Sequence, residues 1–256
     1  TPGDPSGKIR ICKGCGFVHV KERRSIEEVA QAWTQIYASG GYDPNWPGVK
    51  ARLYYVAAWL DANLNLSGRS ILDIGSGNGR FMEFCRGFGA DSVGLDPDVS
   101  NCELVRGLGF QCHHGYASDT SLEIGQFDIV TFNWCLENTA DCLAVLRYAK
   151  RCLAPGGHVV VATGSRIGVP FKKPLSSYLP QGKDYPHDTH CYRWSAASLG
   201  RAFKAVKLMP RDNGNDYKQR DEMITAVHEE LAIWHPMFET PRAVHNHFYN
   251  WQTCFP

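Results

Sequence analysis

Ser70-Ile71-Leu72-Asp73-Ile74-Gly75-Ser76-Gly77-Asn78-Gly79-Arg80-Phe81 decides the fold of this chain. A short apolar run ends in an acid, three glycines follow at alternate positions, and Phe81 to Phe88 reads as an amphipathic helix. This is the strand, tight turn and helix start of a nucleotide-binding βαβ unit. The spacing is Gly-x-Gly-x-Gly, not the Gly-x-Gly-x-x-Gly that brings a pyrophosphate onto a helix N-terminus. Asp73 stands two residues before the first glycine. Its charge repels a pyrophosphate there and favours a ligand with a cationic amine and no phosphate.

Outward from this unit, short β-rich runs alternate with helical stretches. Ser70 to Ile74, Ser92 to Asp96, Phe110 to His113, Phe127 to Phe132 and His158 to Thr163 read as strands. Cys142 to Cys152 reads as a helix stopped by Ala154-Pro155-Gly156-Gly157, and Ser195 to Phe203 as another opened by a serine cap. Such alternation predicts an α/β fold, a doubly wound and mostly parallel sheet covered on both faces. Ahead of it, Ile9 to Val20 reads as a hairpin around Cys12-Lys13-Gly14-Cys15-Gly16. Ser25-Ile26-Glu27-Glu28 fits a capping box for a helix reaching about Tyr37, and Val49 to Asn63 is a second helix. Glu222 to Val227 is expected as a late strand. The expected organisation is an N-terminal cap over residues 1–48, a core over 49–228 with an irregular insertion at 164–190, and an aromatic- and His-rich tail at 229–256.

The 256 residues and 43% hydrophobic content suffice for one full domain with additions. With 27 basic and 26 acidic residues and no basic stripe, nucleic acid is not an expected partner. No apolar run reaches membrane-spanning length and the opening residues do not read as a signal peptide, so no membrane partner is expected. The ten cysteines mostly sit singly in apolar contexts, which predicts buried thiols and a reducing, cytoplasmic compartment. Cys12 and Cys15 have zinc-knuckle spacing, but zinc takes four ligands and no second Cys-x-x-Cys exists, so no metal is expected.

Asp96 ends the second strand seventeen residues after Gly79, where an acid can accept both hydroxyls of a ribose. The same Asp96-Pro97-Asp98 can also serve as a turn, with Asp98 capping a helix. In doubly wound sheets ligands lie outside the carboxyl ends of the strands, so Asp73 and Asp96 belong to one crevice.

At these residues the chain resembles the class I S-adenosylmethionine-dependent methyltransferases. The resemblance rests on Leu72 to Gly79, Gly94-Leu95-Asp96-Pro97, Phe127-Asp128-Ile129-Val130, and Leu146 to Leu153 with Pro155-Gly156-Gly157, in the family's order over about residues 66 to 165. It implies a Rossmann-like, seven-stranded sheet with an N-terminal helical cap and a lid insertion, and S-adenosyl-L-methionine as cofactor. It also implies roles. Asp73 helps hold the methionine moiety, the loop Gly75, Ser76, Gly77, Asn78 and Gly79 lets the backbone approach, Asp96 binds the ribose and Pro97 flanks adenine. Where the family often has Gly-Asp-Ala this chain has Gly115-Tyr116-Ala117, so Tyr116 or a backbone carbonyl takes over the adenine contact. Asn133 and Trp134 line the methionine and methyl side.

Within the family, a subgroup acting on sugars and related small metabolites is nearest. Its features here are Cys12-x-x-Cys15-Gly16, Cys135-Leu136-Glu137-Asn138, which is similar to a Val-Leu-Glu-His segment, and His190-Cys191-Tyr192-Arg193-Trp194-Ser195, which is similar to a His-x-x-x-Phe-Ser pattern. Two histidines of the subgroup are Trp134 and Asn138 here. His190 is the candidate base, with His187 able to share its task and Glu137 able to orient the acceptor. Tyr37 and Tyr42 are placed to close the cofactor pocket. The expected function is methyl transfer to a small-molecule acceptor, a sugar or glycan precursor. The alternatives are an aminopropyl-type transferase and a cofactor- or partner-binding module without catalysis.

Overall fold

The computed structural model describes residues 9–12, 17–22, 24–39, 47–164, 190–194, 196–209 and 251–254. In chain order these form β1 (Ile9–Ile11), β2 (Val18–Val20), α1 (Ile26–Ala38), α2 (Pro47–Leu64), β3 (Ser70–Ile74), α3 (Arg80–Gly87), β4 (Asp91–Asp96), α4 (Val99–Gly107) and β5 (Gln111–His114). Then follow β6 (Phe127–Asn133), a 3₁₀ turn (Leu136–Asn138), α5 (Cys142–Arg151), β7 (Leu153–Gly164), β8 (Tyr192–Arg193), α6 (Ala196–Ala205) and β9 (Trp251–Cys254).

The main sheet is ordered β5-β4-β3-β6-β7-β9. Its side chains alternate with the strand period of two. Leu72, Ile74, Val130, Phe132, Val159 and Val161 pack in one cluster with residues of α5 and α6. Ile71, Ile129, Val160 and Ala162 pack in another with residues of α2 and α3. Both faces are thereby covered, which is why the strands read as near-continuous apolar runs. Within α2, helical spacing puts Leu53, Val56, Ala57 and Leu60 on one face; Val56, Ala57 and Leu60 are buried and Leu53 is partly buried against the same cluster.

The seven-stranded expectation is corrected. Among the described residues five strands, β3 to β7, run parallel, and β9 adds an antiparallel edge paired as Val161↔Cys254. The segment Trp251-Gln252-Thr253-Cys254 is only four residues long, so its strand character comes from the edge it meets. The expected strand at 222–227, most of the insertion, and Cys15, Tyr42, His187 and Ser195 lie outside the described residues.

A second, three-stranded sheet is ordered β1-β2-β8 and is antiparallel. The hairpin was expected; its pairing with β8 was not. Phe17 packs its ring 5.5 Å from Tyr192 and 5.0 Å from Trp194. The capping box forms as read: Glu28 N–H donates to Ser25 Oγ at 3.1 Å and Ser25 N–H to Glu28 Oε2 at 2.6 Å. Among the described residues no helix is long and apolar enough to cross a membrane, and no cluster of three or more His, Cys, Asp or Glu could hold a metal ion.

Candidate functional site

From β3 the chain winds outward through β4 to β5, and from β6 outward to β7, so the order reverses between β3 and β6. Such a reversal opens a crevice at the carboxyl ends of the strands. A cavity of about 370 Å³ lies there.

Asp73, one residue before the end of β3, is buried, with both of its hydrogen bonds on one oxygen. Thr131 Oγ1 donates to Oδ1 at 2.7 Å and Asn133 Nδ2 at 3.0 Å, which leaves the lone pairs of Oδ2 for a ligand. Burial pushes its carboxyl up to about 7, against the pull of those two bonds and helped by the nearby charge of Asp96. Asp96 is buried in the same way, and burial raises its carboxyl above the usual range although three donors hold it. Gly77 N–H reaches Oδ2 at 2.9 Å, while Asp98 N–H at 2.9 Å and Asn101 Nδ2 at 3.2 Å share Oδ1. A carboxylate has about four acceptor positions, so Oδ2 retains one for a hydroxyl.

Asp98 caps a helix as the turn reading expects, and it also makes a contact that reading did not include. Its Oδ1 caps α4 through Asn101 N–H at 3.1 Å, and its Oδ2 accepts from Thr34 Oγ1 at 2.6 Å, docking α1 against the tip of β4.

The glycine loop bends where side chains would obstruct it. Gly75 has φ +75°, and a Cβ there would meet Cys135 Sγ at 2.5 Å. Gly77 has φ +53° and also faces the cavity, as do Ser76 and Asn78. Gly79 does not: it N-caps α3 at φ +77° and packs closely on Val105 and Leu108. Pro97, Tyr116, Asn133, Trp134 and His190 all line the cavity.

His190 is exposed, and its neighbours are fastened to the 3₁₀ turn and to the residues that follow it. Cys191 N–H donates to the Glu137 carbonyl at 2.8 Å and Tyr192 Oη to the Ala140 carbonyl at 2.7 Å. Glu137 is itself buried and does not line the cavity, so its placement favours support of the His190 segment through its backbone.

Tyr37 of α1 lines the cavity, where the sequence reading put it. Two lining residues escaped sequence reasoning: Trp33 of α1, its ring 5.8 Å from that of Tyr37, and Arg52 of α2, whose Cζ lies 4.8 Å from the centre of the Trp134 ring. The i, i+4 pair Trp33–Tyr37 and a single arginine inside an apolar helix are the available signals. Cys135 is also in the wall. Burial first, then the charges of Asp96, Glu137 and Asp73, push its thiol well above its ordinary range. It stays protonated and is a poor nucleophile.

The family model for the methyltransferase domain matches residues 49–208. A ubiquinone biosynthesis O-methyltransferase of Xanthomonas oryzae pv. oryzae is 29% identical over 185 residues, which cover 70% of this chain and 75% of that protein. Magnesium protoporphyrin IX methyltransferase of Synechocystis PCC 6803, solved with bound SAH, superposes with a TM-score of 0.54 at 17% identity, covering 72% of this chain and 86% of that one. The 1,6-didemethyltoxoflavin-N1-methyltransferase of Burkholderia thailandensis, solved with its substrate and S-adenosylhomocysteine, gives 0.55 at 16% identity over 80% and 90%. At these identities the structural likeness is one of fold.

Proposed function

This chain belongs to the methyltransferase-domain family, and from that premise we propose that it transfers a methyl group from S-adenosylmethionine to a hydroxyl of a small molecule with a planar, largely apolar body. The observation that carries the reading is the composition of the cavity: two buried acids at the strand tips, and aromatic rings on the helical side. The hydroxyl acceptor draws support from the relatives, named for O-methyl transfer. The sugar or glycan precursor expected from sequence finds no support in those relatives. A wall bearing Trp33 and Trp134 suits a flat ring.

The residues present fit the cofactor. Burying Asp73 and Asp96 together is costly unless a cation joins them, and both retain acceptor capacity. In this reading Asp96 Oδ2 accepts a ribose hydroxyl, Asp73 pairs with the amine, and Pro97 and Tyr116 flank the adenine. Gly75 and Gly77 keep the approach free of side chains. When bound, the cofactor supplies an electrophilic methyl on a sulfonium sulfur. The protein aligns the acceptor, keeps water out and removes the hydroxyl proton.

Within the described residues His190 is our candidate for that proton. His190→Ala is expected to lower turnover by about 10²-fold or more, with S-adenosylhomocysteine affinity unchanged in calorimetry. Wild-type turnover in that variant would remove His190 from the mechanism.

Asp73 gives the reading a pH signature. Its folded pKa of about 7 lies above the unfolded value near 4, so between those limits the folded state holds the extra proton. The stability this residue contributes is therefore greatest below about pH 4, falls as pH rises toward 7, and then levels off. Binding a cationic group favours the ionised form. S-adenosylhomocysteine affinity is expected to rise with pH up to about 7 with release of a proton, and the slope should vanish in Asp73→Asn. Calorimetry in buffers of different ionisation enthalpy reads the proton directly; an unchanged slope in Asp73→Asn contradicts the assignment.

A further inference from the structure

We propose that Trp134, backed by the Arg52 guanidinium, is the platform on which an electron-rich planar acceptor stacks, an inference that rests on the methyltransferase reading above.

Trp134 has φ +52°, the left-handed region that disfavours any side chain and favours glycine. Two hydrogen bonds hold the turn from either side. Its N–H donates to the Ala162 carbonyl at 2.7 Å, and its own carbonyl accepts from Asn138 Nδ2 at 3.0 Å. The backbone alone would be better served by glycine, so what the strained turn delivers is an indole. That indole stands one residue beyond Asn133, whose amide holds Asp73, and it lines the same cavity. It is half-buried against the cluster that contains Val56, Leu60 and Phe81.

Arg52 sets the character of the ring. Its Cζ lies 4.8 Å from the ring centre, and both residues line the cavity. A cation over one face draws π density toward itself. The indole then becomes a better partner for an electron-rich ring, such as a hydroxylated arene, than for the C–H face of a sugar, which seeks a negative π surface. Trp134 thus assigns the acceptor class, and the hydroxyl to be methylated belongs to the stacked ring.

The test uses the full chain, with catechol and methyl glucoside as probes. Each is titrated calorimetrically in the presence of S-adenosylhomocysteine, and methyl transfer from S-adenosylmethionine to each is followed by mass spectrometry. Catechol is expected to bind saturably and to be methylated, and methyl glucoside to do neither. Trp134→Gly, which keeps the backbone turn, should raise the Kd and KM for catechol about tenfold, and Trp134→Phe by no more than about threefold. Arg52→Gln should weaken catechol as well. Any loss of S-adenosylhomocysteine affinity in Trp134→Gly and Trp134→Phe should be several-fold smaller than the loss for catechol.

Catechol binding no better than methyl glucoside, or an unmoved KM in Trp134→Gly, would overturn the proposal. So would a loss of S-adenosylhomocysteine affinity as large as that of catechol, since the indole would then serve the cofactor. If Trp134→Gly does not fold, the Trp134→Phe result and the wild-type preference between the two probes decide. Failure of the wild-type chain to bind S-adenosylhomocysteine would instead sink the methyltransferase reading, which separates the two failures.

Discussion

Asp96→Ala is expected to lower S-adenosylhomocysteine affinity by about 100-fold or more, equivalent to roughly 2.7 kcal/mol. The side chain has two jobs that fail together. It offers the remaining acceptor position on Oδ2 to a ribose hydroxyl, and it shapes the crevice by holding Gly77 N–H, Asp98 N–H and Asn101 Nδ2. Removing it leaves three donors seeking partners, and each that stays buried and unpaired costs about 1–3 kcal/mol. The ligand contact separates from the structural loss in thermal unfolding. Added S-adenosylhomocysteine raises the Tm of the wild-type chain by mass action, and the Asp96→Ala chain should show no such rise at the same ligand concentration. A folded variant with wild-type affinity would remove the ribose contact.

Gly75→Ala should be strongly destabilising. The new Cβ would sit 2.5 Å from Cys135 Sγ and 2.9 Å from its Cβ, on a backbone at φ +75°. Left-handed backbone costs a side chain about 1–2 kcal/mol, and overpacking adds about 1–3 kcal/mol. We expect a loss of about 2–5 kcal/mol in denaturant unfolding, together with loss of cofactor binding. Cys135→Gly in the same chain removes the collision but not the backbone cost, so it should restore only part of the stability. Full rescue would show that the backbone conformation is unimportant there, and no effect of Gly75→Ala would show that the wall yields.

What could be read beforehand was whatever is written locally. The acid, glycine turn and helix start lie within twelve consecutive residues, and β4 ends on its acid at a fixed distance, so Asp73 and Asp96 were legible as candidates for one crevice. The helix entries were equally local: Ser25 with Glu28, Asp98 with Asn101, and Asp141, which caps α5 through Leu143 and Ala144 N–H groups. The remainder depends on partners far along the chain. Arg52 looks like an interruption in an apolar helix until the fold brings it over Trp134. The left-handed turn at Trp134 has no sequence signature, because the residue there is one that the conformation penalises. β9 is too short to announce itself and exists through the edge of β7. Glu137 looked like a site carboxylate because its neighbours resemble a motif, whereas the 3₁₀ turn buries its side chain and offers its carbonyl to Cys191.

The pairing of His19 with Tyr192 joins residues about 170 positions apart, against the short separations that close the βα units of the main sheet. Loop closure of that length delays the contact on folding. The same short segment is also tied to the 3₁₀ turn, since Cys191 N–H donates to the Glu137 carbonyl while its own carbonyl accepts from Val20 N–H. His190 is therefore held at the cavity by two stretches of chain remote from each other in sequence, and loosening either anchor should free it without disturbing the acids at the strand ends.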